Sequence, residues 1–200
     1  MSRFRSTSGG MMLGRGITHD VVQSLNNKFQ SPETEREFRD RAIFVFLTRT
    51  ALRAHELVSL KWSAMIQTPE GDEVFQYRKK GGRDAFTAPG KKAIRAVREY
   101  HDAFGIQSDF LFVSLPGRNL RERHGLSTRS LQKIVNTWNV KTSAGKMIHP
   151  HALRHTAAQR AFDKAGSLAA QKLCGHSSPA ITSAFYTRPY LSNVEELLDW

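Results

Sequence analysis

Arg53 and Glu56 are the first candidates for chemistry in this sequence. They lie three positions apart, so a helix would place them on one face, where the carboxylate can orient the guanidinium. An oriented guanidinium is a forked donor that matches two oxygens of a phosphate group. The alternative interpretation is an ordinary ion pair on the protein surface.

A second candidate is a cluster of two histidines and an arginine. His151, Arg154 and His155 stand at positions i, i+3 and i+4, so a helix places them on one face while Leu153 points toward a core. The pair of histidines is also spaced for zinc, but the residue after His151 is Ala152 rather than a glutamate, and no obvious third ligand follows. The remaining alternative is a purely structural role, which would bury polar groups at a cost in free energy.

The third candidate is a basic turn that runs from Arg78 to Arg83 in the order Arg-Lys-Lys-Gly-Gly-Arg. Two consecutive glycines allow a tight hairpin turn, from which a lysine can project into a groove. The alternative is a basic turn that is simply solvated.

The fourth candidate combines a histidine, His176, with a tyrosine, Tyr186. Gly175 can close one helix and Pro179 can begin the next, so His176 falls in the connection between them. Tyr186 then lies one turn inside a basic helix, where a tyrosine considered alone is usually a packing residue.

The charge of the chain favours a polyanionic partner. Thirty Lys and Arg residues against eighteen Asp and Glu give a formal net charge of +12 over 200 residues. Because each neutralised phosphate releases condensed counterions, such a chain gains free energy on a polyanion; the alternative is a generally basic, solvated surface. No window approaches the run of about 18 apolar residues that spans a bilayer. The basic N-terminus lacks the apolar stretch of a secretory signal, and no basic amphipathic helix has an aromatic face. We therefore expect a cytoplasmic protein that binds no membrane.

The elements that must position these residues are mainly helical. Helical spacing and start signals predict helices over about 18–29, from Pro32 to a break near Arg49, and over 53–60, 90–104, 127–139, 150–165, 168–175, 179–189 and 192–199. Turn residues separate strand-like runs at 65–67, 74–78 and 85–88, and 111–113 suits a short buried extended segment. The predicted fold class is mainly α with a small antiparallel three-stranded β-sheet (α+β). Residues 1–16 are expected to be a flexible basic tail, and 17–200 one domain.

Taken together, the four segments resemble the active-site motifs of the tyrosine recombinase, or phage integrase, family. Each motif alone is weak, but all four in this order form a specific pattern that extends from about residue 17 to about residue 188. Tyr186 is preferred to Tyr190 as the matching tyrosine, and Lys80 to Lys79 as the matching lysine. The six matched positions are Arg53, Lys80, His151, Arg154, His176 and Tyr186.

The resemblance implies a catalytic domain that cleaves and rejoins DNA strands. Tyr186 would attack the scissile phosphate, giving a 3′-phosphotyrosyl link and a free 5′-hydroxyl. Arg53, Arg154 and His176 would donate hydrogen bonds to the non-bridging oxygens as charge develops. The chemistry implied uses no metal, no nucleotide and no other cofactor.

The resemblance also assigns the remaining groups. His151 would assist proton transfer near the tyrosine, and Lys80 would protonate the leaving 5′-oxygen as general acid. Glu56 and His155 would support the neighbouring arginine and histidine. The residues expected to contact DNA directly are Lys79, Arg83 and Arg188.

The implied partner is double-stranded DNA, on which the family assembles as a homo-oligomer, a dimer to a tetramer, in a prokaryotic, phage or mobile-element setting. Residues 192–200 form an acidic amphipathic segment that Ser192 and Glu195 can cap. This segment either docks on a neighbouring protomer or folds back on its own domain.

Family members commonly carry an N-terminal core-binding domain, whereas only about 16 residues precede the match here. The chain therefore resembles the short single-domain members, or an excised or degenerate catalytic domain. Two alternative functions follow: a DNA-binding regulator or remnant with a vestigial site, and relaxation of DNA in the manner of a type IB topoisomerase.

Overall fold

Six helices and one small sheet lie within residues 15–79, 81–117 and 123–175, which are the residues that the computed structural model of this chain describes. The helices are α1 (His19–Lys28), α2 (Glu35–Thr50), α3 (Ala54–Val58), α4 (Lys91–Ala103), α5 (Thr128–Asn136) and α6 (Pro150–Cys174). The strands are β1 (Met65–Gln67), β2 (Glu73–Arg78) and β3 (Asp84–Thr87). The predicted fold class, mainly α with a small antiparallel three-stranded sheet, is confirmed.

Helix α2 lies at the centre of the fold and packs against both α4 and α6. Its residues from 42 to 47 are apolar and all buried, so the helix is enclosed on every side. The predicted start at Pro32 is wrong. Thr34 begins the helix instead, because its hydroxyl accepts from the backbone N–H of Glu37 while the Glu37 carboxylate accepts from that of Thr34.

The sheet has the order β1-β2-β3, and both pairings are antiparallel. Phe75 and Tyr77 lie on its buried face, where the ring of Phe75 packs 6.1 Å from that of Phe46. A tight turn joins β2 to β3, with the backbone N–H of Lys79 donating to the carbonyl of Arg83 at 2.9 Å. The predicted hairpin is therefore present, and it carries the basic turn at its tip.

The segment from Leu111 to Val113 is buried, as predicted, and it links distant parts of the chain. Leu111 donates its backbone N–H to the carbonyl of Leu60 at 3.1 Å, and Leu126 donates to Phe112 at 3.0 Å. This segment therefore ties the end of α3 to the chain that leads into α5.

Helix α6 consists of two helical halves that meet at Gly166, whose φ of 77° and ψ of −176° are not helical. The predicted boundary between helices 150–165 and 168–175 falls at this break. Gly175, with a φ of 61°, ends the second half, as the sequence indicated. Within the part of the chain that the structure describes, no helix is long and apolar enough to cross a membrane. The basic tail as far as residue 14 and the predicted helices 179–189 and 192–199 lie outside the described residues.

Candidate active site

The first half of α6 presents the predicted histidine and arginine cluster. His149 caps the helix, because its Nδ1 accepts from the backbone N–H of Ala152 at 3.3 Å. From this start, His151 and His155 come together on one face, with their Nε2 atoms 2.9 Å apart, while Leu153 is fully buried. The predicted shared face is therefore confirmed.

Arg154 is buried, with 3% of its surface exposed, and its guanidinium holds two other segments of the chain. Its Nη1 donates to the carbonyl of Ala51, at the end of α2, and its Nη2 donates to the carbonyl of Cys174 at 3.0 Å. Hydrogen bonds from a charged donor are stronger than those between neutral groups. Arg154 therefore joins α2 to both halves of α6.

Arg53 lies immediately before α3 rather than on a helical face, which corrects the expectation from its spacing. Glu56 reaches back to it: Oε2 accepts from the backbone N–H of Arg53 at 2.7 Å, and Oε1 accepts from Nη1 at 3.1 Å. The carboxylate thus orients the guanidinium, as predicted. An ordinary surface pair is excluded, because the Glu56 side chain is only 1% exposed.

One buried carboxylate also connects the two arginines. Oε2 of Glu56 lies 3.9 Å from Nη1 of Arg154, in addition to its contacts with Arg53. The side chain of Arg53 remains 40% exposed, whereas that of Arg154 is almost fully enclosed. The arrangement therefore offers one accessible guanidinium beside one that is fixed in the protein.

Burial and neighbouring positive charge favour the neutral form of both histidines. The pKa of His155 is lowered to about 4, first by burial and then by the charge of His151. The pKa of His151 is also lowered, first by desolvation and then by Arg154, although part of its surface is exposed. At neutral pH both rings are therefore uncharged, and the Nε2–H of one donates to the Nε2 lone pair of the other.

A zinc site at this histidine pair would need a third ligand, and the described part of the chain supplies none. Within residues 15–79, 81–117 and 123–175, no group of three or more His, Cys, Asp or Glu side chains is placed to hold a metal ion. His151 and His155 contact each other directly instead.

The β2–β3 hairpin contacts the same region of the protein. Nζ of Lys79 donates to the carbonyl of Gly175 at 2.8 Å, so the hairpin contacts the end of α6. Arg83 is exposed in the turn. The structure therefore brings together the first, second and third candidate segments. Four of the predicted site residues lie outside the described residues: Lys80, His176, Tyr186 and Arg188.

Tyr77 belongs to this region, and sequence reasoning missed it. The residue is 7% exposed, and its pKa is raised to about 12, first by burial and then by the charge of Glu56, against the opposing influence of Arg154 and Arg53. Its phenol therefore lies within electrostatic range of both guanidiniums. The alternation of β2 was the available signal, since Phe75 and Tyr77 share the face that turns inward.

These groups suit the stabilisation of a phosphate that gains negative charge. Two guanidiniums held by one carboxylate, and a pair of imidazoles beside them, supply preorganised donors and a site for proton transfer. Because Arg154 and Glu56 are buried and fixed by hydrogen bonds, the donors need little reorganisation when an anion arrives.

Comparison with known proteins identifies relatives of this chain. The family model described as "Phage integrase family" matches residues 15–192. The tyrosine recombinase XerC of Chromobacterium violaceum is 29% identical over 177 residues, which cover 87% of this chain and 56% of that protein. The chain spans about half the length of the curated relatives that it matches.

Solved structures show the same fold. The crystal structure of XerA recombinase superimposes with a TM-score of 0.67 at 25% identity, covering 92% of this chain and 64% of that one. A XerH site-specific recombinase bound to its difH substrate superimposes with a TM-score of 0.68 at 19% identity, covering 94% and 54%. With its fold, its arginine and histidine geometry and the family match over residues 15–192, this chain belongs to the phage integrase family of tyrosine recombinases.

Proposed function

We propose that this chain is the catalytic part of a site-specific DNA recombinase that cleaves and rejoins strands through a 3′-phosphotyrosyl intermediate. The observation that carries the proposal is the convergence of Arg53 and Arg154 on the buried carboxylate of Glu56. Family membership favours this activity over a DNA-binding remnant and over relaxation of the type IB kind.

The arginines act on the charge of the scissile phosphate. Attack on a phosphodiester adds negative charge to the non-bridging oxygens, and fixed donors lower the free energy of that state most. The side chain of Arg53 is partly exposed, so it can bind a phosphate that arrives from solvent. Arg154 donates to the same phosphate from the position in which the protein holds it. His176, the next residue after Gly175, completes the set of donors.

The histidine pair assists the transfer of the proton that the nucleophile loses. His151 retains an exposed surface and assists proton transfer, while the buried His155 holds one edge of its ring at 2.9 Å. If His151 gains a proton, its bond to the neutral His155 becomes charge-assisted and strengthens. His155 therefore supports His151 both before and after the transfer.

Tyr186 is the nucleophile and Lys80 the general acid. The phenolic oxygen forms a bond to phosphorus, the bond from phosphorus to the 5′-oxygen breaks, and Lys80 supplies the proton that the 5′-oxygen needs. Because the number of phosphodiester-type bonds is conserved, a 5′-hydroxyl from another duplex can reverse the step. No metal or nucleotide is required.

The substrate is double-stranded DNA. The net charge of +12 supports this partner, and one structural relative is described as bound to its difH substrate. Arg83 in the hairpin and Arg188 beyond the tyrosine contact the DNA backbone. The chain assembles on its site as a homo-oligomer, from dimer to tetramer.

A nicked suicide substrate tests the proposed chemistry directly. Cleavage next to the nick releases a short strand and traps the protein on DNA, where a denaturing gel detects it. The parent chain should form the adduct, whereas Tyr186→Phe should bind the same DNA and form none. An adduct with Tyr186→Phe would remove Tyr186 from its role, and no adduct with the parent chain would remove the proposed function.

Single-turnover cleavage at saturating DNA tests the arginines. Removing one transition-state donor costs ~10²-fold or more in rate. Arg53→Ala and Arg154→Ala should both show such a loss, and Arg154→Lys should not recover it, because an ammonium cannot reproduce the forked contacts. A change confined to DNA affinity would instead make these residues ordinary phosphate contacts.

A further inference from the structure

Two cations from different elements hold consecutive carbonyls at the end of α6. Nη2 of Arg154 donates to the carbonyl of Cys174 at 3.0 Å, and Nζ of Lys79 donates to the carbonyl of Gly175 at 2.8 Å. The last carbonyls of a helix lack partners within the helix and carry its partial negative charge. Both contacts therefore fall where a cation stabilises the chain most.

The methylene group next to the ammonium of Lys79 also lies close to Gly175. A Cβ added to Gly175 would lie 2.8 Å from Cε and 2.6 Å from Nζ of Lys79, closer than any real contact. The end of the lysine side chain therefore lies directly over Gly175. Lys79 can occupy this position because residue 175 has no side chain.

We propose that Lys79 is a positioning residue, which fixes the turn at Gly175 and, through the chain, the placement of the next residue, His176. The inference rests on the proposed function, in which His176 donates to the scissile phosphate. It also changes the role that the sequence indicated for Lys79. Its ammonium donates to a carbonyl of this chain at 2.8 Å, and this contact is the one on which we base its role.

The break at Gly166 explains why the end of α6 needs such a contact. The first half of α6 is fixed by its own packing, but the non-helical Gly166 separates it from the half that ends at Cys174. The orientation of the second half is therefore set by tertiary contacts, among them those of Arg154 and Lys79. A small displacement of a catalytic group costs a large factor in rate, so loosening this end should be visible in the chemistry.

The test uses two variants of Lys79 and a neighbouring control. Lys79→Met keeps most of the stem and removes only the donor, whereas Lys79→Arg restores a cation that can reach a carbonyl. Arg78→Ala removes a positive charge from the adjacent residue of the same hairpin, whose side chain is 80% exposed and pairs at 3.9 Å with Asp84.

Hydrogen–deuterium exchange of the free protein gives a result that needs no activity. In Lys79→Met, peptides that cover residues 168–176 should exchange several-fold faster than in the parent chain, and in Arg78→Ala they should not. Unchanged exchange in Lys79→Met, or an equal increase in Arg78→Ala, would overturn the inference.

Suicide-substrate cleavage at saturating DNA gives the functional result. Lys79→Met should form the adduct about tenfold more slowly, with the salt dependence of DNA affinity unchanged, and Lys79→Arg should recover most of the rate. A lysine that binds a phosphate would behave in the opposite way: the salt slope would fall by about one and the saturated rate would stay the same. That outcome would return Lys79 to the DNA-contacting set.

A double-mutant cycle separates positioning of His176 from general support of the fold. If Lys79 acts through His176, Lys79→Met should slow cleavage by much less in a His176→Ala background than in the parent. An equal loss in both backgrounds would refute action through His176. If the parent chain forms no adduct, the proposed function fails, while the exchange experiment still decides whether Lys79 fixes the end of α6.

Discussion

At the scale of single residues, Glu56 determines how the two arginines are presented. Its buried carboxylate accepts from the backbone and the side chain of Arg53 and lies 3.9 Å from Arg154. Without it, both guanidiniums would lose a neighbouring negative charge, and one of them is almost fully enclosed. The residue therefore contributes to stability as well as to the geometry of the site.

We expect Glu56→Ala to lower the free energy of unfolding by about 3 kcal/mol, because it leaves buried positive charge uncompensated. Urea denaturation measures the change. Glu99→Ala is a matched control, since Glu99 also pairs with an arginine, Arg41 at 2.8 Å, but its side chain is 40% exposed. That variant should lose about 1 kcal/mol or less. Equal losses would show that the burial of Glu56 has no energetic consequence.

His155 should make stability depend on pH on the acidic side of neutrality. Its pKa is about 4 in the folded chain, against an ordinary value of 6.5, so the unfolded chain binds this proton first. Stability should therefore fall as pH decreases from about 6.5 toward 4, and the contribution between pH 7 and pH 5 is on the order of 2 kcal/mol.

The measurement is the free energy of urea unfolding at pH 7 and pH 5. The difference between the two should shrink in His155→Gln and stay as in the parent chain in His55→Gln, which alters an exposed histidine. An undiminished difference in His155→Gln would assign the pH dependence to other groups.

Residue types and their intervals predicted much of this site, and geometry supplied the rest. The i, i+3, i+4 spacing of His151, Arg154 and His155 was enough to place them on one face. Spacing could not show that Arg154 donates to the carbonyls of Ala51 and Cys174, because those contacts depend on how three segments pack. Tyr77 was missed for the same reason, since nothing local distinguishes it from any inward strand residue.

At the scale of elements, the junction between α2 and α3 is the feature that local sequence describes least well. Ala51 ends α2 in the left-handed region, with φ 49° and ψ 28°, and it is fully buried against Ala157, Ala158 and Cys174. Its carbonyl accepts from Arg154. This unusual conformation places Arg53 at the start of α3 instead of within a helix.

Ala51→Val should destabilise the chain by at least about 2 kcal/mol, because a β-branched residue tolerates a positive φ poorly and residue 51 is fully buried. Ala51→Gly should stay within about 1 kcal/mol of the parent, since relief of the left-handed strain offsets the lost methyl group and the freer unfolded chain.

Thermal or urea unfolding compares these variants with Ala158→Val, which adds the same volume to a buried alanine of α6 whose backbone is helical. Ala51→Val should be the more damaging of the two. If Ala158→Val costs as much, the loss comes from volume alone and the backbone of residue 51 carries no strain.

Some elements and their boundaries were predictable from the sequence, and others were not. The sheet was predictable because its strands alternate and are separated by turn residues. The start of α2 was not, since Pro32 and Thr34 are both acceptable start signals, and only the reciprocal bonds between Thr34 and Glu37 decide between them.

At the scale of the whole molecule, the charge and the order of the motifs predict a member of a DNA-processing family. The family match over residues 15–192 confirms that prediction. The spatial arrangement of Lys80, His176, Tyr186 and Arg188 with the arginines stays a prediction, and the suicide-substrate experiment tests it.

Assembly belongs to this scale as well. If the acidic amphipathic segment docks its apolar residues on a neighbouring protomer, removing residues 192–200 should reduce the mass of the protein–DNA complex, measured by light scattering. The shortened chain should still bind a single half-site as a monomer. An unchanged mass would reject docking between protomers and favour a segment that folds back on its own domain.

The break in α6 has a consequence for which substitutions the protein can accept. Gly166 is exposed, and a methyl group added there would meet nothing within 4 Å among the residues that the structure describes, so packing against these residues leaves room for a Cβ. Its φ of 77° with ψ of −176° is nevertheless a conformation that essentially only glycine adopts. In a saturation library, this solvent-facing position should therefore be as intolerant as a core position, while its neighbour Ser167 accepts many replacements.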